Sequence, residues 1–266
     1  MFRGAVERDI AEARGQGTVV TEICRLIGLQ SISWPWRRAW RCWSAAGTEL
    51  FPPAVESALR RATGDGWQID GQDSYCARCG ATTGPHGSTR AGCRGCVASR
   101  PQWQRIVRLG PYREPLSDWI VEMKFFSRWT WAAWMGHHLA HAVPESRNWC
   151  RTVVCPVPMP WQRRVKRGYN QAALIGHELA ARRGWPLAPL LRRTRYVLPQ
   201  SALSASNRTR NARRSFALRR VDLSGWHVWL VDDVKTTGST LSVCAQLLKR
   251  AGASEVNVAV TAVVDR

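Results

Sequence analysis

Acidic residues and lysine are both scarce in this 266-residue chain: 19 Asp and Glu stand against 39 Lys and Arg, and only 4 of those 39 are Lys. The shortage of acids leaves a formal net charge of +20. That sign favours phosphate-bearing partners, whether small metabolites, nucleic acid or a membrane surface. Arg and the 15 Trp are both favoured by GC-rich codons, so where the charge lies says more than its total. Long apolar runs are missing as well. No stretch approaches the roughly 18 consecutive apolar residues of a membrane span. Glu7, Asp9 and Glu12 stand where a secretory signal would carry its apolar core, so the expected location is cytoplasmic. Global disorder is excluded by a hydrophobic content of 45%. At about 100–200 residues per domain, the length suits one large domain and a smaller module.

The distribution of charge is uneven. Residues Arg151 to Val221 hold 16 Arg or Lys and a single acid, Glu178. The nine cysteines are also patterned: Cys76-x-x-Cys79 and Cys93-x-x-Cys96 form two pairs with thirteen residues between them, while Cys24, Cys42, Cys150, Cys155 and Cys244 are scattered. In a reducing compartment, an odd count with paired spacing points to a metal site ahead of a disulfide framework. Four thiolates at one tetrahedral centre make a closed, structural Zn²⁺ site of zinc-ribbon type, with iron or two disulfides as the alternatives. Gly80, Gly84, Gly87, Gly92 and Gly95 make this segment turn-rich and unable to build its own core, so the metal would stand in for one. His86 lies between the pairs but is not needed as a ligand; His137, His138 and His141 read as a helix surface. Cys155 and Cys244 read as core residues.

Three regions follow: an N-terminal extension of unclear structure (1–70), a four-cysteine zinc module (71–100) and a larger domain (101–266). In the first, Ala5 to Arg14 suggests a short helix. Trp34 to Trp43 mixes indoles with arginines, suiting a membrane surface, single-stranded nucleic acid or an amphipathic helix packed on the body. Val55 to Arg61 reads as a further short helix. In the third region, Leu116 to Ala142 reads as one helix. Thr152 to Val157 then reads as a strand, Pro156 to Arg167 as a loop and Asn170 to Arg183 as an amphipathic helix stopped by Gly184. Pro199 to Arg214 reads as a long mobile loop, His227 to Val231 as a strand, Thr240 to Arg250 as a helix and Val256 to Val264 as a final strand. Alternation of strand and helix predicts an α/β fold with a parallel sheet flanked by crossover helices.

One string carries chemistry. The apolar strand Val228 to Val231 runs into Asp232 and Asp233, then Val234, Lys235 and the small, hydroxyl-rich Thr236-Thr237-Gly238-Ser239-Thr240, which opens a helix. Ligands of open α/β sheets bind beyond the carboxyl ends of strands. A turn of this composition at a helix N-terminus cradles a phosphate with backbone N–H groups, and Gly238 allows close approach. The adjacent carboxylates are placed to grip ribose hydroxyls. The string resembles the signature of type I phosphoribosyltransferases, which bind 5-phosphoribosyl-1-pyrophosphate (PRPP).

The resemblance extends over roughly residues 75–266. Val154-Cys155-Pro156-Val157-Pro158-Met159-Pro160, then Arg163 through Gly168-Tyr169-Asn170-Gln171, are similar to the ComF family of competence-associated proteins. So are Met123-Lys124-Phe125, Gln200 through Asn207-Arg208 to Phe216, and the order of cysteine module and phosphate loop. This resemblance implies a type I phosphoribosyltransferase-like sheet preceded by a small zinc-ribbon-like module. It implies PRPP binding by Asp232, Asp233, Thr236, Thr237, Gly238, Ser239 and Thr240. Arg163, Arg164, Arg167 and Arg208 are the candidates for pyrophosphate and flexible-loop contacts, because the guanidinium fork suits phosphate oxygens. Mg²⁺ would arrive with PRPP, since no dedicated carboxylate cage is visible. Some purine-salvage relatives carry an acid where Thr236 stands; this chain has none, so no catalytic base or acceptor is named. Two readings stay open. One is phosphoribosyl transfer to an unknown acceptor in nucleoside metabolism. The other is a non-catalytic protein that binds single-stranded DNA during DNA uptake, alongside competence or DNA-processing proteins.

Overall fold

Two runs of small and β-branched apolar residues form the centre of the fold. In the computed structural model, which describes residues 51–84, 87–89, 91–145, 151–194 and 215–265, these runs are β5 (His227–Lys235) and β6 (Glu255–Val263). They pair in parallel with Leu230 opposite Val258. β1 (Ile106–Pro111) adds in parallel to β6 and β2 (Thr152–Pro156) to β5, giving a four-stranded parallel sheet of order β1-β6-β5-β2. Strands covered on both faces read as near-continuous apolar runs, and Val153 to Cys155 and Val228 to Val231 are fully buried. A separate antiparallel pair, β3 (Leu191–Arg193) and β4 (Phe216–Leu218), brackets the Gln200–Arg214 segment. That segment with Arg208, the reading of Ala5 to Arg14, the indole–arginine stretch and His86 all lie outside the described residues.

Seven helices are described: α1 (Pro53–Gly64), α2 (Arg94–Ser99), α3 (Leu116–Phe125), α4 (Thr130–Ala142), α5 (Trp161–Arg167), α6 (Gln171–Arg183) and α7 (Ser239–Arg250). α4 and α6 pack on each other; α4 also covers β1, and α6 covers β2 and β5. Here the tryptophans find their use. Trp119 stacks on Trp131 with centroids 4.6 Å apart, and Trp134 meets both edge-on. Each such ring contributes roughly 1.5–3 kcal/mol by burial. Trp229 and Val231 of β5 face this cluster. The alternate residues Val228 and Leu230 face the other side, where α7 packs with Leu241, Cys244 and Leu248 buried.

The α/β architecture, the parallel sheet and the preceding cysteine cluster are as expected, and α6 starts and stops where its caps predict. Asn170 Oδ1 accepts from the Ala172 N–H at 3.2 Å, and Gly184 adopts the left-handed C-cap. Three details differ. Leu116 to Ala142 is two helices, because Ser127 takes a left-handed φ of 54° and turns the chain. The stretch expected as a loop from Pro156 to Arg167 contains α5, which buries no side chain and so leaves no apolar period to read. β5 runs on to Lys235, past Val231, because β6 pairs with it as far as Val263.

Candidate functional site

The phosphate loop follows β5 at the carboxyl edge of the sheet. Asp232 and Asp233 lie inside the strand, with Asp232 opposite Val260. Each carboxylate accepts the next residue's backbone N–H: Asp232 Oδ1 from Asp233 at 2.9 Å, and Asp233 Oδ1 from Val234 at 2.7 Å. Strand alternation sends them to different neighbours. Burial first, and then the charge of Asp233, push the Asp232 carboxyl well above the usual carboxylate range. Burial pushes the Cys244 thiol of α7 upward, and the neighbouring Cys155 and Asp232 add to that shift.

Beyond the strand, Thr236, Thr237 and Ser239 are exposed while Gly238 is buried. Gly238 is the N-cap of α7 with φ +77°, a conformation that strains any L side chain. No side chain caps the helix from that position. Thr237 Oγ1 accepts the Ser239 N–H at 3.2 Å and its hydroxyl lies 3.0 Å from Ser239 Oγ, which curls the turn over itself. Thr240 lies in the first turn of α7.

Asp233 has a partner that sequence reasoning gave no role. Lys124 Nζ of α3 sits 2.8 Å from Asp233 Oδ2, with side chains only 19% and 16% exposed. Tyr169 positions that helix end: its buried hydroxyl donates to the Met123 carbonyl. Burial raises the Tyr169 phenol to about 12, so it remains a donor. The resemblance of Met123-Lys124-Phe125 to a family motif is the signal that could have found Lys124.

The arginine candidates divide. Arg167 is brought to the site: its guanidinium lies 5.0 Å over the Phe125 ring, and the charge of Asp233 partly offsets the burial and the Arg163 charge that lower its pKa. Arg163 and Arg164 are exposed on α5. Arg193 of β3 was missed. It stacks 5.0 Å over Phe216, and burial and the charge of Arg163 lower its pKa. Nothing separates it from its many arginine neighbours in the sequence.

The four module cysteines converge. Cys76 and Cys96 Sγ are 3.6 Å apart, Cys79 and Cys93 3.5 Å, Cys93 and Cys96 4.0 Å, and all four sulfurs lie within 4.8 Å of one another. Metal–sulfur bonds of about 2.3 Å in a tetrahedron give sulfur–sulfur edges of about 3.8 Å, so the donor set fits a metal ion and is too open for disulfides. Hydrogen bonding with Cys79 draws the Cys76 thiol down to about 4, while the same hydrogen bond pushes Cys79 up and burial pushes Cys96 up to about 11, so without a metal these thiols do not ionise alike. A Cβ at Gly92 would fall 2.6 Å from Cys96 Sγ, so only glycine lets the second knuckle close. Among the described residues no other group of three His, Cys, Asp or Glu is placed to hold a metal. His137 instead meets the rings of His138 and His141 edge-on, with centroids at 4.9 and 4.7 Å. Cys155 and Cys244 are buried, as expected.

No protein-family model matches the chain. It is 32% identical to competence protein F of Haemophilus influenzae over 195 residues, covering 69% of this chain and 82% of that protein. It is 37% identical to DNA utilization protein YhgH of Salmonella typhi over 194 residues and 36% identical to that of Escherichia coli (strain K12) over 195, each covering 70% of this chain and 82% of the relative. Among solved structures, glutamine PRPP amidotransferase from B. subtilis, complexed with ADP and GMP, is 23% identical. Its TM-score is 0.35, over 48% of this chain and 25% of that one. Purine phosphoribosyltransferase from Pyrococcus horikoshii is 16% identical with a TM-score of 0.28, over 57% and 73%. Both overlaps are partial.

Proposed function

The chain belongs to the ComF family of competence proteins, and from that premise we propose that it binds PRPP with Mg²⁺ at the carboxyl end of β5. The observation that carries this reading is the joined strand, carboxylate pair and helix N-terminus. Asp232 and Asp233 precede an N-cap glycine that brings no capping side chain to the start of α7, with Lys124 fixing Asp233. Asp232 and Asp233 receive the ribose hydroxyls, and Thr236 to Thr240 the 5′-phosphate. Arg167, with Arg163, Arg164 and Arg208, meets the pyrophosphate; Mg²⁺ neutralises the leaving group. The cysteine segment holds structural Zn²⁺ beside the phosphoribosyltransferase-like domain. The reaction is phosphoribosyl transfer to an acceptor that the residues do not name.

Calorimetric titration of Mg²⁺·PRPP into the wild type and into Asp232→Asn/Asp233→Asn tests it. Binding that disappears in the double variant supports the site; equal binding by both sinks it.

A second reading has its own observation. α5 carries Arg163, Arg164, Lys166 and Arg167 with no acid, beside Trp161, which is 65% exposed, and near Phe125, 62% exposed. Cations interleaved with exposed rings suit single-stranded DNA, which is in keeping with the relatives' names and with cytoplasmic competence partners. Salt-steep binding to single strands, lost in Trp161→Ala/Arg163→Ala, is its test. Undiminished binding by that variant would reject α5 as the surface.

A further inference from the structure

The cysteine knuckle and the phosphate loop meet across one indole. Trp103 is 2% exposed, and a Cβ placed on Gly238 would lie 3.1 Å from its Cη2. The ring is therefore the floor beneath the turn of the loop; the Lys235 chain closes from another side, at 3.2 Å from the same point. Trp103 is itself tied to the metal-binding segment. Its Nε1 donates to the Arg78 carbonyl at 2.8 Å. Arg78 stands between Cys76 and Cys79 and returns the bond: Nη1 donates to the carbonyls of Trp103 at 2.6 Å and Gln104 at 3.0 Å, and Nη2 to that of Pro101 at 3.2 Å.

The knuckle is anchored on the sheet at two further points. The Ile106 N–H donates to the Ala77 carbonyl at 2.8 Å, and Arg108 Nη1 of β1 donates to the Gly80 carbonyl at 2.6 Å. Among the described residues the Arg78 guanidinium is met by carbonyls alone, so its positive charge has no carboxylate beside it. A divalent ion held by four thiolates carries a net double negative charge, and it would supply the missing counter-charge in the same knuckle.

We propose that Trp103, held by Arg78, is a positioning residue for the phosphate loop, and that metal at the four cysteines tightens ribose-phosphate binding by fixing this contact. The loop is short, its Thr236, Thr237 and Ser239 are exposed, and Gly238 supplies no side chain of its own. Its shape therefore depends on what lies under it. When the floor moves, the binding-competent shape becomes a fraction of the population, and apparent affinity falls by that fraction. The affinity part of this inference rests on the PRPP reading; the positioning part does not.

Hydrogen–deuterium exchange of the full chain reads the loop directly. Peptides covering 235–241 would be followed in zinc-loaded wild type, in chelator-stripped wild type and in zinc-loaded Trp103→Leu, with Arg78→Gln as a second variant should Trp103→Leu not fold. Exchange in that peptide should rise about tenfold in the stripped protein and in the variant, while peptides of β5 and β6 stay protected. Mg²⁺·PRPP affinity should fall about tenfold in parallel. Unchanged loop exchange, or a rise spread evenly over the sheet, would overturn the inference. A loop that responds in a wild type that binds no PRPP would leave the brace standing and remove the PRPP reading.

Discussion

Lys124 and Asp233 form an ion pair at 2.8 Å between the last turn of α3 and the strand that feeds the phosphate loop. Through Tyr169 and the Met123 carbonyl, the segment after α5 fixes the same helix end. The edge that carries Asp232 and Asp233 is thus assembled from three separated stretches of chain.

Removal of the cation should be felt in both stability and binding. Lys124→Ala leaves a mostly buried carboxylate unpaired and should cost about 1.5–3 kcal/mol in urea unfolding. Because the Lys124 charge also helps hold the Asp232 carboxyl down, Mg²⁺·PRPP binding should weaken and shift in pH dependence. Lys124→Arg should restore part of both; a variant as stable as the wild type would show the pair to be inert.

Asp232 should carry a stability penalty. Burial and Asp233 raise its folded-state pKa above the unfolded value. A carboxyl raised in this way stabilises below the unfolded pKa and loses that contribution as pH rises through the folded pKa. The penalty grows as pH rises from the unfolded pKa toward the folded one, so it is larger at pH 7 than at pH 3. Asp232→Asn should therefore raise Tm by a few degrees at pH 7, on a scale of about 2–4 °C per kcal/mol, and gain nothing near pH 3. A Tm that falls at pH 7 would contradict this. Loss of PRPP binding alongside the gain is the expected trade between site and stability.

Gly238→Ala should be worse than a loop substitution usually is. It places a Cβ at φ +77° and 3.1 Å from the Trp103 ring. The backbone component alone is about 1–2 kcal/mol. Thermal unfolding should show that loss, and Mg²⁺·PRPP titration should show binding reduced at least tenfold. A variant with wild-type affinity would mean that the turn tolerates a shift.

Metal content is the most direct measurement on the cysteine module. The purified chain should carry one zinc ion per molecule by elemental analysis. Cys96→Ser should lose it, and chelation should lower Tm by about 10 °C, which on the scale of about 2–4 °C per kcal/mol is a loss of roughly 2.5–5 kcal/mol. Metal-free protein with an unaltered Tm would argue against a structural ion.

Three stretches were legible in the sequence because their signals are local. The phosphate loop is a contiguous backbone pattern, in which a buried strand must end in a turn that only small residues and Gly238 can make before α7 begins. The cysteine pairs declare themselves by spacing, and the limits of α6 by Asn170 and Gly184. The break at Ser127 and helix α5 were not legible, since neither changes an apolar period. β1 was missed for a different reason: Arg108 sits in its middle, fully buried and answered by Asp70, Thr82 and Gly80.

What only the tertiary structure decided is which distant residues serve the loop. The sheet order β1-β6-β5-β2 is not the chain order, so side chains far apart in sequence become neighbours. It brings Lys124 to Asp233, Arg167 to Phe125 and Trp103 beneath Gly238. A charge or an indole read along the chain has no partner until packing supplies one. The amino-acid sequence by itself therefore determined the strand, Gly238 turn and helix after Asp232 and Asp233, and the four-cysteine cluster. Folding decided that Trp103 lies between the Gly238 turn and Arg78 of the cysteine segment, because that contact is made by side chains whose spacing along the chain carries no period.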